Sequence, residues 1–271
     1  MTRRITTITQ FGPELSERVL QVTGRAAALP QVRSAVETNH DDNRWWPAGI
    51  TDPRMRMLAA GWSTRVSYTM IGSYARVIAR ADSLGFNRLA SASDEDITDW
   101  ARPIGLFATR ITYLRSLAEF LNRLDTDGID VLSGDADEMI NRFASDVAQA
   151  SFKVAQCAVL YSRGYHCGVL PVDSGMVTKL APVLGIDLPS GPIAHEQMRH
   201  LLQDCVTDRA EDYRRLAATH AVTIPAQTAP TWWAHLVLIY FKRQFLNRPS
   251  PRLCPRRPIC DQVLDCPHSK T

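Results

Sequence analysis

The chain is short of lysine. Among its 31 basic residues only Lys153, Lys179, Lys242 and Lys270 are lysines, which leaves 27 arginines in 271 residues. A lysine that falls where chemistry wants an amine therefore carries weight. Long apolar runs are missing too: the longest, Leu236 to Phe241, is six residues, against the roughly 20 needed to cross a bilayer. The N-terminus places Arg3-Arg4 before alternating polar residues and has no apolar stretch of the kind a signal peptide carries. These absences predict a cytoplasmic protein with no membrane partner. Neither sign of charge dominates, and a net +3 is only a mild lean toward anionic partners. With 45% hydrophobic and 22% charged residues, wholesale disorder and low-complexity classes are excluded. The length suffices for a buried core without disulfide staples.

Six cysteines are present. Cys157, Cys167 and Cys205 are scattered, whereas Cys254, Cys260 and Cys266 lie close together with five residues in each gap. Without a secretory signal, such a cluster points to metal ligands or their remnant before it points to disulfides.

What the chain does have is helical periodicity. From Pro53 to Ala81, apolar residues recur at three- and four-residue steps, with Gly61 and Gly72 as possible breaks. Ser93 before Asp94-Glu95-Asp96 reads as a capped helix start, which Pro103 and Gly105 close. Further helices are predicted over Thr109–Leu124, Asp137–Phe143, Asp146–Arg163, Met176–Gly185, Glu196–His220 and Trp232–Leu246, with an irregular crossing from Gly164 to Asp173. The fold class is all-α, in two domains: 53–170 as a helical barrel-like domain, and 1–52 with 171–271 as the second.

Three stretches carry a resemblance. ASDEDITDWARPIGLFATRITYLRSLAEFL (92–121), RFASDVAQASFKVAQCAVLY (142–161) and LPVDSGMVTKLAPVLGI (170–186) resemble the helix-hairpin-helix DNA glycosylase superfamily, most closely its endonuclease III branch. The likeness covers about residues 53–186 and continues loosely into WWAHLVLIYF (232–241). It implies Lys153 as the nucleophilic lysine of bifunctional members and Asp173 as the catalytic aspartate, in a cleft between the two domains. It further implies Arg65, Gln149 and Ser151 as DNA contacts. The activity implied is excision of a modified or mismatched base from double-stranded DNA with the base flipped out, followed by β-elimination at the abasic site, by a monomer. A glycosylase fold acting on a free nucleoside or small metabolite, and a non-catalytic DNA-binding protein, are the alternatives.

The chemistry agrees with the residue types. Breaking the glycosidic bond develops positive charge on the sugar, which a carboxylate stabilises, and an unprotonated amine can attack the anomeric carbon. A lysine partly buried at a helix start, with its charged form disfavoured by desolvation, suits that task. Asp173 can also cap the helix that begins near Ser174, and asparagine caps equally well. The sequence therefore predicts that Asp173→Asn keeps its stability.

The chain departs from the family in three places. Gln149-Ala150-Ser151 replaces a Gly-x-Gly hairpin, which predicts a helix running straight through it. Ser174-Gly175-Met176 follow Asp173, so the family's histidine after the aspartate and threonine is missing. The three C-terminal cysteines do not supply a four-iron cluster's four thiolates, so no cofactor is expected there. With His268 they form a candidate zinc set, at a spacing unusual for zinc.

Overall fold

The computed structural model describes residues 11–40, 49–247 and 263–264. Among these residues every element is helical, which establishes the all-α class. In chain order the α-helices are α1 (Pro13–Ala27), α2 (Pro30–Asn39), α3 (Pro53–Trp62), α4 (Ile71–Leu84), α5 (Phe86–Ala90), α6 (Asp94–Ala101), α7 (Phe107–Thr126), α8 (Ala136–Asp146), α9 (Phe152–Arg163), α10 (Ala181–Leu184), α11 (Ile193–Asp208), α12 (Ala210–Ala218) and α13 (Thr231–Phe241). Two π turns, Met176–Leu180 and Lys242–Leu246, precede α10 and follow α13. No helix among the described residues is long and apolar enough to cross a membrane. The chain divides into two compact units, Asp41–Tyr165 and Met1–His40 with His166–Thr271.

In the Asp41–Tyr165 unit, α3 is the central element. Met55, Met57, Leu58, Ala59 and Trp62 are fully buried, and the helix packs on both α7 and α9. Gly61 makes the approach to α7 possible: a Cβ there would lie 2.2 Å from the Tyr113 ring. Two buried tyrosines bond α3 carbonyls, Tyr113 to Met57 and Tyr74 to Ala59, each at 2.8 Å. Phe120 meets Phe143 edge to face at 5.3 Å, which seats α8 against α7. The expected cap forms at Ser93, whose hydroxyl accepts the Asp96 N–H at 3.1 Å. The break after α3 falls at Trp62, not at Gly72.

In the other unit, α13 forms the core. Its sequence TWWAHLVLIYF is apolar on every side, and ten of its eleven residues are buried, as expected of a helix surrounded by others. Trp232 and Trp233 belong to this core. Around α13 stand α1, α2 and α11; the apolar stripe of α1, Leu15, Val19, Val22 and Ala26, is buried. The helix predicted over Glu196–His220 is two helices, because Arg209 leaves helical geometry between α11 and α12.

Candidate functional site

The first correction falls at the hairpin. The sequence predicts one helix from Asp146 to Arg163, but α8 ends at Asp146 and α9 begins at Phe152. Gln149 makes the reversal by adopting a left-handed backbone (φ 67°), a conformation that costs a non-glycine residue about 1–2 kcal/mol. Ser116 on α7 secures the turn. Its hydroxyl accepts the Ala148 N–H at 2.9 Å and donates to the Asp146 carbonyl. Ser151 then caps α9, its Oγ facing the Val154 N–H at 3.5 Å. Gln149, Ser151 and Lys153 are all exposed on this short stretch. Lys153 is thus in the first turn of a helix, as expected, but it is exposed where the sequence predicts a partly buried side chain.

A second feature of the same unit went unseen in the sequence. Arg110, buried on α7, donates to the carbonyls of Gly105 at 2.7 Å, Ile104 at 3.0 Å and Trp62. The Trp62 indole returns a bond to the Arg110 carbonyl at 3.2 Å. Burial pushes the guanidinium down to about 10, which leaves it a cation at neutral pH. Arg110 thereby ties the loop after α3 to the loop before α7. Each loop carries an exposed residue with positive φ, Arg65 (56°) and Leu106 (54°). Leu106 is 41% exposed, unusual for a leucine in a strained conformation. Non-glycine residues in this region persist where the surroundings over-determine them, and they cluster at functional sites.

Asp173 lies in the other unit. The segment leading to it is held by α11: Gln203 accepts the Leu170 N–H at 3.1 Å and an Arg199 N–H at 3.0 Å, and the fully buried Arg199 pairs with Glu196 at 2.6 Å. A His235 ring N–H bonds the Pro171 carbonyl, while its buried Nδ1 has no partner among the described residues. Burial drives His235 down to about 3, with Arg243 adding to the effect, so the ring is neutral. Asp173 caps the following π turn as expected, its Oδ1 accepting the Met176 N–H at 2.8 Å. Its Oδ2, however, accepts from the ammonium of Lys242, which is 2% exposed. That pair corrects the expectation for Asp173→Asn. Asparagine would restore the cap but take the carboxylate's charge away from a buried ammonium.

Lys242 is the partner of Asp173 that sequence reasoning missed. The available signal was a scarce lysine placed at the end of a wholly apolar helix, where a charge needs a partner. Cys254, Cys260, Cys266 and His268, the candidate metal set, lie outside the described residues. Among the described residues no group of three or more His, Cys, Asp or Glu side chains is placed to hold a metal ion. Compared with known protein families and with curated proteins, the chain matches none.

Proposed function

We propose that this protein is a DNA glycosylase of the helix-hairpin-helix kind that excises a modified or mismatched base and then cleaves the abasic site. The observation that carries the reading is the α8–turn–α9 reversal. Gln149 takes the left-handed conformation with no glycine to help it, and the scarce, exposed Lys153 stands in the first turn of α9. A helix start leaves its first backbone amides without intrahelical partners, which suits a phosphate oxygen, and Ser151 stands at the edge of α9.

In this reading the flipped base leaves the duplex stack, and Leu106 and Arg65, on loops fixed by Arg110, fill the space it vacates. The lone pair of Lys153 Nζ attacks C1′. The C–N bond forms as the glycosidic bond breaks, and its electron pair departs on the base, which takes a proton from solvent. Asp173 stabilises the positive charge on the sugar as it develops. Loss of the Nζ proton and opening of the sugar ring leave a Schiff base. Removal of a C2′ proton then expels the 3′ phosphate, and water releases the lysine. The DNA that covers Lys153 supplies its desolvation.

Cleavage of an abasic duplex tests this reading whatever base is the natural target. The expected result is strand cleavage at the abasic site well above the spontaneous rate, leaving a β-elimination end. Cleavage no faster than in buffer would overturn it.

A further inference from the structure

The two π turns meet at one ion pair. Lys242 opens the turn that follows α13, and Asp173 caps the helix that contains the other. Both oxygens of Asp173 have fixed partners, the Met176 N–H on Oδ1 and the Lys242 ammonium on Oδ2. Gly175 makes room for this. A Cβ at that position would lie 2.8 Å from Lys242 Nζ, 3.1 Å from its Cδ and 3.2 Å from Asn247 Oδ1. Gly175 also stands where the resembled family carries its histidine. With no side chain at 175, Lys242 has the space in which it reaches Asp173.

Stability alone does not call for an ammonium here. An apolar side chain continuing α13 would pack at least as well, because a buried charge pair gains little over a hydrophobic replacement. What lysine adds is a positive charge on the carboxylate. π turns inserted in α-helices, moreover, are frequent at functional sites.

We propose that Lys242 is the positioning residue for Asp173, holding its carboxylate ionised and fixed in orientation. Lys242, 2% exposed, is too buried to touch DNA and acts through Asp173. The inference rests on the reading of Asp173 as the carboxylate that acts on the sugar, but the pairing itself is testable with no DNA present. Beside Lys242, His235 and Arg243 on α13 and its π turn belong to these surroundings, since Arg243, Asp173 and Lys242 all act electrostatically on the His235 ring. From α11 comes His195, whose Nε2 is 3.4 Å from Ser174 Oγ. Of these, Lys242 contacts the carboxylate.

The test is an NMR titration of the full chain labelled at aspartate Cγ, with Asp173 assigned by the loss of its signal in Asp173→Asn. Lys242→Met should raise the Asp173 midpoint by about one pH unit or more, the usual effect of removing an adjacent opposite charge. Gly175→Ala keeps the lysine but displaces its end, and should raise the midpoint in the same direction by less. A folded Lys242→Met protein whose midpoint moves by under about 0.3 pH unit overturns the proposal. Should that variant not fold, an unmoved midpoint in Gly175→Ala overturns it and a raised one supports it. The DNA readout is separate: single-turnover release should fall about tenfold in Lys242→Met with duplex affinity within about threefold of wild type. A midpoint that responds as expected in a protein that never cleaves DNA sustains the pairing and removes the glycosylase reading.

Discussion

Trp62 and Arg110 bond each other in both directions: the indole donates to the arginine's backbone carbonyl, and the guanidinium donates to the tryptophan's. The two side chains close the end of α3 against the start of α7. Arg110→Met keeps most of the buried volume but strands the carbonyls of Trp62, Ile104 and Gly105. Leaving buried acceptors unpaired costs about 1–3 kcal/mol each. The expected loss is about 3 kcal/mol or more, a fall in melting temperature of about 6 °C or more by calorimetry. An unchanged melting temperature would mean that the loops do not depend on Arg110.

Leu106 sits in a conformation that glycine adopts without strain. Leu106→Gly should therefore melt no lower than wild type, with a gain of up to about 1 kcal/mol from relieved backbone strain. Its affinity for an abasic duplex should nevertheless fall about tenfold, since the apolar wedge is gone. A variant that gains stability and keeps full affinity would remove Leu106 from the DNA contact.

Asp173→Asn separates the cap from the charge. Breaking a buried pair by removing one partner costs about 3 kcal/mol, so this variant should melt about 6 °C or more below wild type. Asp173→Asn with Lys242→Met should recover most of that loss, because the buried ammonium goes together with the carboxylate's charge. In both variants base release should fall at least about a hundredfold. A single variant that melts like wild type would contradict the ion pair.

The helices and their faces were legible in the sequence, because apolar spacing and caps such as Ser93 report local structure directly. The hairpin was not. Its signal in a sequence is glycine, and here the left-handed position is filled by Gln149 and sustained by Ser116, a residue 33 positions away in the chain. Asp173 was legible as a cap, but its partner was not: nothing local to residue 173 indicates that residue 242 reaches it. Lys242 and Gly175 are intelligible only together, and pattern reading treats each alone.

His235 makes stability depend on pH. An unfolded histidine titrates near 6.5, whereas burial holds His235 in the folded protein down to about 3. Between those values the unfolded chain binds a proton that the folded chain does not. The contribution is therefore fully present above about pH 6.5 and is lost as the pH falls toward 3. His220, lowered by burial and by Arg33, acts in the same direction. Melting temperature should decline steadily from pH 7 to 5, and His235→Phe should at least halve that decline. A flat profile in wild type would show that the ring is protonated in the folded state.

Covalent trapping reads the chemistry of Lys153 itself. The purified protein is mixed with abasic duplex DNA and borohydride, which reduces a Schiff base to a stable amine, and the cross-linked residue is identified by peptide mass spectrometry. The expected result is a protein–DNA adduct attached at Lys153 and no adduct in Lys153→Ala, a surface substitution that leaves the fold intact. An adduct that forms undiminished in Lys153→Ala, or no adduct with the wild-type protein, would contradict it.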